Sequence, residues 1–257
     1  MNSIKELFKN NVVTACVLGG VVIIIATSIL SGGVKAVGQN NTISVTGTAE
    51  KMVDSDAGKW TFAITKQADP NQLTYVSSEI RTQQSIVSKY LISKGVEEKQ
   101  ITIQPLVSNV VCQSQNQVMY DASGRQQCSG SYTYTLAQTI IVESDNVELV
   151  KDLSLNAPQA LSPRGISIQT TQVDFFYTKL NDLRVALLEE AAKNAKERAV
   201  AIAKSTGDSI GGVRNASQGV FQVTQKNSTD VTDYGSYDTS TIEKKVTAIV
   251  RASFEVK

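Results

Sequence analysis

The sequence predicts an α+β fold with mixed or antiparallel sheets and two long amphipathic helices, preceded by an N-terminal transmembrane helix. Three observations predict it. Residues 12–30 form an uncharged apolar run, several segments alternate apolar and polar residues with period two, and two long segments repeat apolar residues every three or four positions. Hairpin strands mixed with long helices favour α+β over a doubly wound parallel sheet.

The apolar run reads VVTACVLGGVVIIIATSIL, interrupted only by the polar residues Thr14, Thr27 and Ser28. As a helix it is about 28 Å long, close to the thickness of a bilayer's hydrocarbon core. It has no polar face, unlike a surface helix of a globular domain. Lys5 and Lys9 precede it and only Lys35 follows closely, which places residues 1–11 in the cytoplasm. The expected division is a cytoplasmic N-terminus at 1–11, a transmembrane helix or signal anchor at 12–30, a linker at 31–41, and an extracytoplasmic domain at 42–257. The alternative is a signal peptide cut near Val34-Lys35-Ala36, which would release the domain to the periplasm. The run exceeds the 7–15 residues or so of a signal peptide's apolar core, which favours the anchor. Cys16 lies near the start of the run, whereas a lipid-attachment cysteine follows one, so it reads as a small buried hydrophobe.

Within the domain, Ile43, Val45 and Gly47 alternate with polar residues, as do Trp60, Phe62 and Ile64. Both read as half-buried strands, with a turn at residues 53–58. Asp69-Pro70 predicts a helix start, with Asp as N-cap and Pro at the first helical position. Leu73, Val76, Ile80, Val87 and Leu91 carry that helix to a Gly95 C-cap. Ile101 and Ile103 start a strand, with Pro105 marking an edge or bulge. Residues 112–130 are a polar excursion, and Tyr132, Tyr134, Leu136, Ile140 and Val142 return as the second arm of a hairpin. Ser144-Asp145 caps a short helix through Val147, Val150 and Leu153 that ends before Pro158, and Ile166 and Ile168 give another strand. The clearest helix spans about residues 179–205, with Leu180, Leu183, Leu187, Ala191, Ala195, Ala199 and Ile202 as its stripe and Gly207 as its end. Strands follow at residues 220–223 and 246–256. Strand, long helix, glycine and strand recur around 60–103 and 166–223, which suggests two βαβ-like halves.

The formal net charge is +1, and no basic block stands out, which argues against a nucleic-acid partner. Histidine is absent. That removes Ser-His-Asp and Cys-His catalysis, His-ligated zinc and the usual pH switch. Cys112 and Cys128 are the only cysteines beyond the apolar run, and an isolated pair in an exported domain predicts a disulfide. The carboxylate pairs Asp54/Asp56, Glu97/Glu98 and Glu189/Glu190 fit a solvated surface better than paired acid–base work. Asp230, Asp233 and Asp238 could offer oxygen ligands to calcium, but their spacing does not match an EF-hand loop. Gly211-Gly212 is too short for a phosphate-binding fingerprint. Tyr132 and Tyr134 could form an aromatic platform, though a strand's core or rim is the commoner use. Tyr234 and Tyr237 suit a subunit contact or local packing over a sheet edge. No catalytic residue, metal ligand or cofactor is expected.

The segments ISVTGTAE at residues 43–50, LRVALLEEAAKNAKERAVAIAKSTGDSIGG at 183–212, and GVFQV at 219–223 with the stretch NSTDVTDYGSYDTSTIEKKVTAIVRASFEV resemble, in order and spacing, the SIMPL-domain family of bacterial envelope proteins. The resemblance covers nearly all of residues 42–257. It implies an exported periplasmic or cell-surface protein, some relatives of which look like closed, channel-like rings of identical subunits. It also implies a loose association with envelope and oxidative stress, no established reaction and no catalytic motif to carry over. The function expected is therefore a non-enzymatic, membrane-anchored subunit of the inner (cytoplasmic) membrane that self-assembles into a homo-oligomeric ring or cage. The long terminal strand at 246–256 would supply unpaired groups for such assembly if it lay at a sheet edge. The alternative is a periplasmic binding or stress-response factor of low oligomeric order, acting on an unknown ligand or partner.

Overall fold

A computed structural model describes residues 41–113, 118–124, 126–229, 232 and 234–257. The predicted membrane helix at 12–30 lies outside the described residues, as do Cys16, Asp230 and Asp233. Among the described helices none is long and apolar enough to cross a membrane. The described residues are α+β, with antiparallel sheets and three α-helices, and the chain divides into two units.

The larger unit holds residues 45–198 and 216–252. Its five-stranded sheet has the order β3 (Ile101–Ile103), β7 (Tyr132–Ser144), β2 (Ala57–Ala68), β8 (Ile168–Phe176), with β4 (Val107–Cys112) also paired to β7. The β2–β7 ladder runs from Gly58↔Ser144 to Ala68↔Tyr134. Period-two alternation puts Trp60, Phe62, Ile64, Ile140 and Val142 on one face, all buried. Helices α1 (Leu73–Ser93) and α2 (Val147–Leu161) cover that face with Val87, Leu91, Val150, Leu153 and Leu161. Trp60 stacks on Phe62 at 4.1 Å between ring centroids, and its Nε1 donates to Thr170 Oγ1 at 3.2 Å.

The second sheet has the order β1 (Thr42–Asp54), β11 (Glu243–Val256), β10 (Gln222–Gln225), with β9 (Ile210–Gln218) also paired to β11. Helix α3 (Leu180–Thr206) lays Leu183, Leu187 and Ala191 against Ala49, Val223, Val246, Ala248 and Val250. The approach is closest at Gly47. A Cβ there would overlap the Ala191 carbonyl oxygen and the Ala195 backbone nitrogen, and would sit 2.7 Å from Ala195 Cβ. Two side chains of α3 also reach the outer edge of β1. Asn194 Oδ1 accepts from the Thr48 N–H at 3.2 Å, and Arg198 Nη1 donates to the Thr46 carbonyl at 3.0 Å.

The smaller unit comprises residues 41–44, 199–215 and 253–257 among those described. Gly207, at φ +86, turns the chain out of α3, and Thr206 Oγ1 donates to the Ala203 carbonyl at 2.9 Å. Ser209 and Lys257 exchange backbone hydrogen bonds of 3.0 and 2.8 Å, and Arg214 pairs with Glu255 at 2.8 Å.

Several sequence expectations are corrected. Asp69-Pro70 forms a turn, with Gln72 N–H donating to the Asp69 carbonyl, and α1 starts at Leu73 without a side-chain cap. Asn146 rather than Ser144-Asp145 caps α2, accepting from the Leu149 N–H at 3.0 Å, and the helix runs through Pro158. A proline costs an interior helix an N–H bond, but here the buried Val147, Val150 and Leu153 before it and Leu161 after it hold the segment. Of the two βαβ-like halves only the first is present: β2 and β3 flank α1 and, both antiparallel to β7, run parallel with that strand between them, a split βαβ arrangement, whereas β8 and β9 belong to different sheets. The terminal strand β11 is interior, with β1 on one side and β10 on the other. It therefore offers no free edge.

Candidate functional site

The loop between β10 and β11 is built around a charge with nowhere to go. Lys244 is fully buried. Its Nζ donates to the Asp238 carbonyl at 2.7 Å, the Thr241 carbonyl at 2.6 Å and Asp238 Oδ2 at 3.2 Å. An ammonium has three protons, and all three are used. Asp238 also accepts from Ser240 Oγ at 2.7 Å and Thr241 Oγ1 at 2.5 Å. Burial alone would raise this carboxyl, but hydrogen bonds from Thr241, Ser240 and Lys244 outweigh it and hold it far below the ordinary carboxylate range. Asp238, read from the sequence as a possible calcium ligand, thus faces an ammonium. Among the described residues no cluster of three or more acidic, cysteine or histidine side chains could hold a metal.

The rest of the loop is tied down on both flanks. Buried Gln222 donates from Nε2 to the Thr232 carbonyl at 2.7 Å and accepts from the Thr232 N–H at 3.2 Å. Lys245 Nζ donates to the Ser228 carbonyl at 2.6 Å. Val223 N–H donates to the Ser236 carbonyl, and Asp238 N–H to the Val223 carbonyl. Gly235 turns the chain at φ +83, with Val220 Cγ1 2.6 Å from where a Cβ would lie, so a side chain there would be strained and would displace Val220. The two tyrosines of the sequence analysis part company here. Tyr237 is half exposed and donates its hydroxyl to the Tyr177 carbonyl at 3.2 Å. Tyr234 is 97% exposed.

The second excursion carries the disulfide. Cys112 and Cys128 are bonded, with Cα atoms 5.5 Å apart. The bridge joins the end of β4 to a small hairpin, β5 (Val118–Tyr120) with β6 (Gln126–Cys128), whose Met119 and Tyr120 are exposed. Closing a loop of this length stabilises by about 3 kcal/mol on the chain-entropy model.

Of the other sequence candidates, Asp56 and Glu97 hold structural hydrogen bonds. Asp56 accepts from the Thr178 N–H at 2.7 Å and hydroxyl at 3.0 Å. Glu97 closes a capping box with Gln100 and pairs with Lys99 at 2.8 Å. Glu189 and Glu190 are exposed on α3, and Gly211-Gly212 lie in β9. Tyr132 meets Tyr134 edge-on at 5.7 Å, and Tyr134 packs against the Val76, Ile80 and Leu136 cluster. A depression of about 620 Å³ beside the loop is bordered by the ion pairs Lys226–Glu243 at 2.8 Å and Lys151–Glu148 at 3.3 Å. The buried lysine escapes a reading of the sequence, although the Asp-x-Ser-Thr spacing before it is a local turn signal.

A SIMPL family model, described as a protein of unknown function (DUF541), matches residues 43–254. No curated protein matches the chain.

Proposed function

The chain belongs to the SIMPL family, and on that premise we propose that it is a membrane-anchored extracytoplasmic subunit that assembles with copies of itself into a ring or cage at the cell envelope. The apolar run at 12–30 is the anchor and residues 42–257 face the periplasm. The Cys112–Cys128 bridge suits an oxidising compartment. The observation that carries the assembly reading is Tyr234, almost wholly exposed and four residues before Asp238 of the Lys244–Asp238 knot. An exposed aromatic is a ready contact, because a partner that covers it buries a large, mostly apolar ring, and tyrosine is among the residues enriched at interfaces. The knot also commits all three protons of this buried lysine to architecture.

Tyr234→Ser tests the contact. The side chain is almost wholly in solvent within its own subunit, so the variant should melt with the parent. Sedimentation velocity should show its assembly dissociating at a protein concentration at least ten-fold higher than the parent's. Identical dissociation would remove Tyr234 from the interface.

A further inference from the structure

The two sheets end in differently treated edges. The outer edge of β1 is occupied by Asn194 and Arg198, which take the Thr48 N–H and the Thr46 carbonyl. The outer edge of β8 is covered only at its end, where Phe175 N–H donates to the Thr239 carbonyl. Among the described residues no backbone group pairs with that edge from Ile168 to Val173. The stretch carries no charge and no proline, and of the usual guards of an exposed edge it has only a bulge.

Its sequence is Ile-Gln-Thr-Thr-Gln-Val, close to a palindrome. Antiparallel pairing with a second copy, centred between Thr170 and Thr171, would set Ile168 against Val173, Gln169 against Gln172 and Thr170 against Thr171. In a regular strand this register is forbidden. Residues three apart point to opposite faces, so Gln169 and Gln172 could not meet across a two-fold axis normal to the sheet. β8 is not regular. Gln172 opposes Thr61 and Thr170 opposes Phe62 on β2, leaving Thr171 as an extra, bulged residue. The bulge restores the match. Ile168 and Val173 both pack toward the core, opposite Ile64 and Trp60, while Gln169 and Gln172 oppose Ala63 and Thr61 on the other face.

We propose that β8 pairs with β8 of a second copy of this chain, joining two five-stranded sheets into one across a two-fold axis. Like meets like along the contact. Thr–Thr, Gln–Gln and aliphatic cross-strand pairs all favour it, and no like charges oppose one another. The inference deepens the assembly reading by naming one of its contacts.

A charge pair inverts the contact without touching the core. The double variant Gln169→Lys with Gln172→Lys sets ammonium against ammonium at both cross-strand positions. The double variant Gln169→Glu with Gln172→Lys sets carboxylate against ammonium at the same positions. Both variants share the Gln172→Lys change, so its effect on neighbouring Asp174, which Gln172 bonds at 2.9 Å, is common to the two. Light scattering of the detergent-solubilised full chain should give the double-lysine variant no more than half the parent mass. The Glu/Lys variant should keep the parent mass, and matched melting curves would show both folded. Parent mass in the double-lysine variant would overturn edge pairing and leave self-assembly standing. A monomeric parent would overturn the assembly reading and the pairing with it.

Discussion

The two helix-covered sheets meet the same demand, a helix over one face, with opposite materials. The five-stranded sheet fills the gap with bulk: Trp60, Phe62, Ile64 and Ile140 from strands, Val87, Leu91 and Leu153 from helices. The four-stranded sheet nearly abolishes the gap. Gly47, Ala49 and Ala248 on strands face Leu187, Ala191 and Ala195 on α3, and the helix backbone comes almost into contact with β1. One interface is stabilised mainly by apolar area and the other by closeness, so they should fail in opposite directions when residue size changes. Closeness also has a local consequence. It brings Asn194 and Arg198 within reach of the β1 edge, while the bulkier sheet leaves β8 without such cover.

The largest effect belongs to the thin interface. In Gly47→Val the new atoms would meet backbone on α3, which no side-chain rotation relieves. The loss should be about 4 kcal/mol or more, read as the shift in a urea midpoint or as failure to fold. A loss under about 1 kcal/mol would mean that α3 stands farther from β1 than described. The thick interface should break the other way. Trp60→Ala removes a fully buried indole and its hydrogen bond to Thr170, and should cost about 3–5 kcal/mol by the same assay. A markedly smaller loss would show that the five-stranded sheet does not depend on bulk, and the contrast between the sheets would collapse.

Much of this contrast is readable in the sequence, but not all. The Trp60/Phe62/Ile64 alternation and the alanine stripe of α3 announce a bulky sheet and a close-packed helix through their periodicity alone. Gly47 gives no such warning, because a glycine in an alternating strand shows only that a side chain is missing, not what has come near. β1 and β2 are joined by a tight turn and invite pairing with each other, yet they join different sheets. That choice is set by distant partners in β7 and β11 rather than by local sequence. β9 is invisible to the periodicity because nearly all its residues are exposed, so no alternation marks it. Within the loop, Tyr234 and Tyr237 stand three residues apart in similar polar surroundings. Only the hydrogen bond of Tyr237 to Tyr177, which links residues 60 apart in sequence, separates the tied ring from the free one. The disulfide is legible because only two cysteines are available to form it.

The proposal that joins the expected anchor at 12–30, the exposed Tyr234 and the open β8 edge is that this chain works as a multimer. Sedimentation equilibrium of the full-length chain in density-matched detergent tests it directly, since the detergent then adds no buoyant mass. The account predicts a single species many times the 27.7 kDa chain mass, unchanged in mass on dilution through the micromolar range. A species of one chain mass at every concentration would contradict it.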